Sequence, residues 1–242
     1  MHVDATDPAF AADAIRLARE TPDVDGFIGQ VGPGGFSVRQ SGSALAPLTI
    51  DFTDGRMRQR RRTIGRRQAL PRAVGIKPGK TLSVIDCTAG LGRDALVLAS
   101  LGCVVTMIER SAVLSQMLES AVERAKAVPD LADAIARMTL VSGEAESVLA
   151  ALETPPDVIY IDPMFPPRDK SALVKREMQL LHTLVGTDED VFGLLGSAVA
   201  TGCRRIVVKR PRGARISGIE PDFVVRGKTT DYVVVLSAAV SR

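Results

Sequence analysis

The chain has 242 residues, which is long enough for one large domain or for one domain with a small appendage. Two histidines and three scattered cysteines argue against a disulfide framework and against a metal site, and no run of about 18 apolar residues indicates a membrane span. A net charge of +3 by itself indicates no partner, and because the first residues lack the pattern of a signal peptide, we expect a cytoplasmic protein with no membrane contact.

The first 55 residues predict a small α+β unit. Apolar residues recur with helical spacing over residues 8–20, and short strands are predicted over 25–29, 35–39 and 48–52. The Gly-Pro-Gly-Gly segment at 32–35 predicts a turn between the first two of these strands.

Residues 56–67 carry seven arginines among twelve positions, so the positive charge of the chain is concentrated in one short run. Arginine pairs with phosphate through two hydrogen bonds and stacks on bases, which favours contact with RNA or DNA. A solvated basic linker is the alternative. We predict that residues 56–80 form a basic linker that contacts RNA through Arg58, Arg60, Arg61, Arg62, Arg66 and Arg67.

From residue 81 onward, apolar β-prone runs alternate with helical patterns. Strands are predicted over 81–86, 103–108, 138–141, 157–161 and 205–209, and the long crossovers between them require parallel pairing. Two further strands, 223–226 and 232–236, have a short link that predicts an antiparallel hairpin. The expected fold class is therefore α/β, with a Rossmann-like seven-stranded, mostly parallel sheet over 81–242 and a small N-terminal α+β appendage over 1–55.

The segment from Leu82 to Asp94 predicts a strand, a tight turn and the start of a helix, which is the opening unit of a doubly wound sheet. Gly90 and Gly92 let the backbone approach a ligand because they have no Cβ atom. The helix that starts near Arg93 adds unpaired N–H groups at the same place. We therefore expect a nucleotide-like molecule to bind here.

Acidic residues stand at four successive strand ends, where ligands of such sheets bind: Asp86, Glu109, Glu144 and Asp162. Glu109 is placed to accept hydrogen bonds from both hydroxyls of a ribose, which suits NAD and S-adenosylmethionine alike. Asp86 would neutralise an amino-acid ammonium group and repel a pyrophosphate, and this favours the methyl donor. Glu144 is placed to meet an adenine edge, or else it is an acid favoured by the dipole of the next helix.

Asp162-Pro163-Met164-Phe165 follows the fourth strand and looks like the (Asn/Asp)-Pro-Pro-(Tyr/Phe) motif of methyltransferases that act on base amines, with Met164 in place of the second proline. The amine of a base is a poor nucleophile because its lone pair is delocalised into the ring. Asp162 and the Pro163 carbonyl can accept its two hydrogens, and Phe165 can stack on a flipped-out base. We predict that these three residues are catalytic.

Cationic residues follow two of the strand ends, Lys170 and Lys175 after the fourth strand and Lys209 and Arg210 after the fifth. We predict that all four contact RNA phosphates. A solvated helix face is an equal alternative for the first pair.

Several blocks of the sequence closely resemble the RsmJ family: 86–95 with 98–103 and Glu109-Arg110, 162–166 with 170–175 and Glu177-Met178, and 207–211. That family comprises bacterial small-subunit ribosomal RNA guanine-N2 methyltransferases that depend on S-adenosylmethionine. The resemblance covers about residues 50–242. It implies a methyltransferase sheet, a substrate that is 16S ribosomal RNA or the 30S subunit, and cofactor contacts at Arg93, Asp94, Glu109, Arg110, Glu144, Ala145 and Asp162.

The predicted reaction is therefore transfer of a methyl group from S-adenosylmethionine to the N2 amine of one guanine in 16S ribosomal RNA, with no metal required. Three alternatives stay open. A DNA or RNA adenine-N6 or other base-amine methyltransferase would share both motifs, and a nicotinamide oxidoreductase would share the ribose contact at Glu109. A non-catalytic RNA-binding protein would use the arginine run alone.

Overall fold

The computed structural model describes residues 1–44, 46–164, 180–181, 183–184, 191–214 and 220–236. Three predicted site residues, Phe165, Lys170 and Lys175, lie outside the described residues.

The N-terminal residues form a four-stranded sheet. In spatial order its strands are β1 (Val3–Ala5), β2 (Phe27–Gly32), β3 (Gly35–Gln40) and β4 (Leu48–Thr49). Strand β1 pairs parallel to β2, and the other two pairs are antiparallel. The sequence did not predict β1, because three residues are too few to show an alternating pattern. Helix α1 (Ala11–Glu20) lies against β1 and β2 and buries Ala14 and Leu17.

The arginine-rich segment is helical rather than extended, with helices α2 (Gly55–Thr63) and α3 (Ala69–Val74). The Asp54 carboxylate caps α2 by accepting a hydrogen bond of 2.9 Å from the Arg56 backbone N–H. Met57 is the buried side chain of α2 and anchors the helix to the core. A helix that is polar on nearly all sides has no apolar stripe, so its periodicity could not be read from the sequence.

The larger sheet has seven strands and confirms the expected fold class. Its strands are β5 (Ser83–Asp86), β6 (Val104–Glu109), β7 (Met138–Ser142), β8 (Val158–Ile161), β9 (Ile206–Pro211), β10 (Phe223–Arg226) and β11 (Thr230–Val235). The spatial order is β10-β11-β9-β8-β5-β6-β7, with parallel pairing from β9 to β7 and antiparallel pairing of β11 with β9 and β10. The order reverses between β5 and β8, and ligands of such sheets bind at this switch point.

The larger sheet is covered on both faces, as parallel strands require. The described helices that follow its strands are α4 (Arg93–Ser100), α5 (Ala112–Lys126), α6 (Pro129–Ile135), α7 (Ala145–Ala150) and α8 (Val191–Ala200). On one face, Leu96 and Met117 share a core with Phe36 of the small sheet, and on the other face Ile159 packs with Leu194. Every helix in the described ranges is too short or too polar to span a bilayer.

The small sheet docks onto helix α5 through both polar and apolar contacts. The Phe36 backbone N–H donates to the Ser120 hydroxyl at 3.0 Å, and the Arg124 guanidinium donates to the Ile50 carbonyl at 2.6 Å. The buried Phe52 ring reaches the loop after β5, where a Cβ atom added to Gly92 would lie 2.9 Å from it and 2.8 Å from Leu118. The loop can therefore follow its path only if residue 92 is a glycine.

We expect Gly92→Ala to destabilise the protein more than Gly90→Ala. Both glycines have left-handed backbone, with φ of +67° and +54°, so both alanines carry a strain of about 1 kcal/mol. At position 90 the nearest atom would be 3.8 Å away, whereas at position 92 the methyl group would overlap Leu118 and Phe52. Chemical denaturation should show a further loss of about 1–3 kcal/mol for Gly92→Ala. Equal losses for the two variants would contradict this packing role.

Candidate active site

The loop after β5 is fixed by hydrogen bonds of its own backbone. The Gly92 N–H donates to the Ala89 carbonyl at 2.8 Å, and Gly92 then stands as the residue that precedes helix α4. The Gly90 N–H donates to the carboxylate of Glu109 at 2.8 Å, which ties the loop to the end of β6. The loop is therefore held close to two strand ends.

Glu109 is a buried carboxylate that is held in one orientation. Its Oε2 atom accepts from the Gly90 N–H and its Oε1 atom accepts from the Ser111 N–H, each at 2.8 Å. The residue is only 5% exposed, and it lines the cavity described below. Because a carboxylate oxygen has two lone pairs, each of these oxygens can accept a hydrogen bond from a ligand hydroxyl group as well.

Asp86 ends strand β5 and is almost fully buried. Its Oδ1 atom accepts a hydrogen bond of 3.2 Å from the Thr88 N–H. Burial raises the pKa of Asp86 to about 8. The Thr88 bond and Lys209 act to lower this pKa, while the neighbouring carboxylates of Asp94 and Asp162 act to raise it. A cation bound in the cavity would stabilise the charged form of Asp86.

Asp162 stands directly after β8 and beside the loop after β5. Its backbone N–H donates to the Thr88 hydroxyl at 2.6 Å, and its Oδ2 atom accepts from the Lys209 ammonium at 2.7 Å. Burial raises the pKa of Asp162 to about 6, although Lys209 pulls it down. The side chain keeps about a third of its surface exposed, at 34%, so it can still meet a ligand.

Asp94, in the first turn of α4, accepts hydrogen bonds from three side chains. Arg60 of α2 donates to Oδ1, and Oδ2 accepts from the Tyr160 hydroxyl at 2.7 Å and from the Lys209 ammonium at 2.9 Å. Burial acts to raise the pKa of Asp94, but Lys209 and Arg60 together outweigh burial and hold it well below its usual range. Asp94 is therefore a charged centre that joins α2, α4, β8 and β9.

These groups surround one cavity of about 500 Å³ at the carboxyl ends of β5, β6, β8 and β9. The fold brings thirteen of the predicted site residues to its walls: Arg60, Asp86, Gly90, Arg93, Asp94, Glu109, Arg110, Glu144, Ala145, Asp162, Pro163, Lys209 and Arg210. The arrangement offers buried negative charge at the centre and cationic side chains beside it. It can hold a cationic ligand that also carries hydroxyl groups.

Other predicted residues lie away from this cavity. Gly92 packs behind the loop, and Arg61 donates to the Asp130 carbonyl on α6 at 2.6 Å. Arg58, Arg62, Arg66 and Arg67 are exposed to solvent on and after α2. The arginine run thus divides into two inward-facing members, Arg60 and Arg61, and an outward-facing set.

Sequence reasoning missed Tyr160 and Thr88, which both line the cavity. Tyr160 is two residues before Asp162 and so shares its face of the strand, and a buried tyrosine hydroxyl requires a partner, which here is Asp94. Thr88 is two residues after Asp86, the spacing at which an aspartate commonly accepts from the backbone. Both signals were present in the sequence.

Comparisons with known proteins agree on one group. A family model described as SAM-dependent methyltransferase matches residues 19–237. The chain is 52% identical over 198 residues to the ribosomal RNA small subunit methyltransferase J of Thioalkalivibrio sulfidiphilus, covering 80% of this chain and 78% of that one. It is 43% identical to the protein of the same name from Pseudomonas paraeruginosa, covering 100% and 97%. Among solved structures, a SAM-dependent methyltransferase from Neisseria gonorrhoeae is similar, with 32% identity, a TM-score of 0.76, and coverage of 99% and 96%.

We expect Asp86→Asn to stabilise the protein, with a gain that grows from pH 5 to pH 8. The unfolded chain ionises Asp86 near its ordinary pKa of 3.8, while the folded protein keeps the proton up to about pH 8. The Asp86 carboxyl therefore lowers the free energy of unfolding of the wild type over this range, and the asparagine, which does not ionise, has no such effect. The difference in the free energy of unfolding between variant and wild type should grow by about 2 kcal/mol or more. Unfolding followed at pH 5, 6.5 and 8 measures this difference.

Asp157→Asn is the control of opposite sign. Hydrogen bonds from Ser83 lower the pKa of Asp157, so its charged form stabilises the folded state at neutral pH. Its loss should destabilise the protein at pH 7. A gain for Asp86→Asn that did not change with pH would contradict the raised pKa of Asp86.

Proposed function

We propose a function for this chain from one premise: the chain belongs to the family of the ribosomal RNA small subunit methyltransferases J. As a member of that family it is an S-adenosylmethionine-dependent methyltransferase of small-subunit ribosomal RNA. We propose further that the accepting atom is the exocyclic N2 amine of one guanine in 16S ribosomal RNA, either as free RNA or within the 30S subunit. An enzyme with this substrate would work in the cytoplasm.

One observation carries the proposal. The Asp162 backbone N–H donates to the Thr88 hydroxyl at 2.6 Å, so the acceptor motif and the glycine loop meet directly. Asp162, Pro163, Gly90 and Glu109 all line the same cavity. A donor held by the loop and a base amine held by the motif would therefore lie side by side.

The residues at the cavity fit S-adenosylmethionine. The buried Asp86 carboxyl suits the cationic end of an amino acid, because a positive charge there would offset the desolvation of the carboxylate. Glu109 is oriented by two backbone N–H groups and suits a ribose diol. Glu144 and Ala145, at the start of α7, are placed for the adenine, and Arg93 and Arg110 complete the proposed cofactor contacts. When bound, the cofactor supplies a methyl group on a positively charged sulfur.

The acceptor side follows from the motif. Asp162 would accept one amine N–H through its carboxylate, and the Pro163 carbonyl would accept the other, which turns the nitrogen lone pair toward the methyl group. Held in this way, the amine would accept the methyl group that the bound cofactor supplies, and one amine proton would then pass to solvent. Phe165 would stack on the base and remains a prediction outside the described residues.

The exposed arginines are proposed to hold the RNA backbone. Arg58 and Arg62 are one helical turn apart on α2, and Arg66 and Arg67 follow the helix. All four are exposed, and Arg60 of the same segment reaches the cavity. Phosphates bound along α2 would therefore guide a flipped-out base toward the motif. Lys170 and Lys175 remain predicted phosphate contacts outside the described residues, and Arg210 lines the cavity.

We expect the purified protein to transfer labelled methyl groups to 16S ribosomal RNA or 30S subunits, and nuclease digestion with mass spectrometry to identify N2-methylguanine. Asp162→Ala should lower kcat by about 100-fold or more, because the amine N–H then has no side-chain acceptor. The exposed Asp133→Ala variant serves as the control and should remain fully active. Methylation of duplex DNA or of adenine instead would contradict the proposal.

We expect the double variant Arg58→Gln/Arg62→Gln to raise KM for the RNA without changing kcat at saturation. If both arginines contact phosphates, the slope of the logarithm of the RNA-binding constant against the logarithm of the salt concentration should become less steep by about 2. Arg16→Gln/Arg19→Gln on the exposed face of α1 removes the same charge at a distance and is the matched control. Equal effects of the two double variants would mean that net charge alone, and no contact at α2, explains the binding.

A further inference from the structure

Lys209 occupies an unusual position for a lysine near the surface of an RNA-modifying enzyme. Its ammonium lies 2.9 Å from Oδ2 of Asp94 and 2.7 Å from Oδ2 of Asp162, and its side chain is only 22% exposed. It stands on β9, next to β8, which ends just before Asp162. The ammonium thus bridges the charged centre at Asp94 and the acceptor motif.

We propose that Lys209 is a positioning residue for Asp162, which holds the carboxylate in place and ionised at the wall of the cavity. The proposal rests on the proposed function, since the charged carboxylate of Asp162 is a stronger hydrogen-bond acceptor for a base amine than the protonated carboxyl. It assigns to Lys209 a role inside the site rather than on an RNA phosphate.

The anchor of Lys209 is rigid. Asp94 is 8% exposed in its side chain and is also bound by the Tyr160 hydroxyl and by Arg60. These donors come from different elements, so Asp94 cannot follow Lys209 if the lysine moves. Lys209 therefore transmits a fixed position from Asp94 to the carboxylate of Asp162, whereas the bond to Thr88 holds only the Asp162 backbone.

The charges around Asp162 make the lysine necessary. The groups that face it are the carboxylates of Asp94 on α4 and Asp86 on β5, the cations of Lys209 on β9 and Arg60 on α2, and the hydroxyl of Tyr160 on β8. Burial and the charge of Asp94 both favour a proton on Asp162, and among the described residues Lys209 is the cation that contacts it directly. Without this ammonium the pKa of Asp162 would rise further, and a protonated carboxyl is a weaker acceptor for a base amine than the carboxylate.

The test compares Lys209→Met and Lys209→Arg with Lys126→Met, which removes an exposed lysine on α5. For each protein, kcat and KM for the ribosomal RNA are measured from pH 5 to pH 9.5, with thermal unfolding and S-adenosylhomocysteine binding as checks on folding. We expect Lys209→Met to shift the acid limb of kcat upward by about 1–3 pH units. Its kcat at pH 7 should fall in proportion to the fraction of Asp162 that remains ionised, by about twofold for a shift of one pH unit and by about tenfold for a shift of two. Lys209→Arg should keep the acid limb near that of the wild type, and Lys126→Met should change nothing.

A second readout does not depend on activity. Carbon-13 NMR of aspartate-labelled protein, with the Asp162 signal assigned through Asp162→Asn, follows the titration of this carboxyl without RNA. We expect its midpoint to rise in Lys209→Met from about pH 6 by about the same amount as the acid limb. If the wild type failed to methylate ribosomal RNA but the midpoint still rose, the proposed function would fall and the positioning role would stand.

The opposite outcome overturns the inference. If Lys209→Met raises KM for RNA and reduces its salt dependence, while the pH profile of kcat and the Asp162 midpoint stay unchanged, Lys209 is a phosphate contact. If the variant is unfolded at every pH, Lys209→Gln is measured by the same NMR titration, and an unshifted midpoint in that variant has the same meaning.

Discussion

The carboxylate of Asp94 accepts hydrogen bonds from Arg60, Tyr160 and Lys209, and the active end of the sheet depends on this convergence. Asp94 belongs to the first turn of α4, directly after the glycine loop, while its three donors come from α2, β8 and β9. The cluster can form only when both sheets and the basic helix are assembled. Loss of both Arg60 and Lys209 would leave the buried charge of Asp94 without a cation, which typically costs about 3–5 kcal/mol.

The small sheet contributes to the site without lining its centre. Phe52 packs against Gly92 and so supports the glycine loop from behind, while Arg124 binds the Ile50 carbonyl at the base of the same segment. Helix α2 then continues from this segment and carries Arg60 into the cavity. The N-terminal residues are therefore a support that places the basic helix beside the cofactor loop.

The site concentrates acids at a cost in stability. Asp94 and Asp162 raise the pKa of Asp86, and Asp94 raises the pKa of Asp162. Lys209 lowers the pKa of all three acids, and Arg60 lowers those of Asp94 and Asp162. Asp86 reaches a pKa of about 8, so near neutral pH the folded protein holds a proton that the unfolded chain would release. A cationic ligand would relieve this cost. Binding sites commonly carry groups that lower the stability of the free protein in this way.

The strands of the larger sheet and their mostly parallel pairing could be predicted from the sequence, because parallel pairing needs long crossovers and the apolar runs marked each strand. The positions of Asp86, Glu109 and Asp162 at one edge followed from the same rule. The strand β1 and the helix α2 could not be predicted, since one is too short and the other too polar to show a periodic pattern.

The sequence by itself thus determined the fold class, the glycine loop and the acidic strand ends, since all of these depend on local pattern and on spacing along the chain. Only the tertiary structure decided how the cations are divided. Lys209 and Arg60 turn inward to Asp94, and Arg58 and Arg62 of the same charge turn outward. The sequence pattern around a lysine or arginine does not show whether its side chain turns inward or outward. Asp94 is 34 positions from Arg60 and 115 positions from Lys209, and only the assembled fold brings these residues within hydrogen-bonding distance.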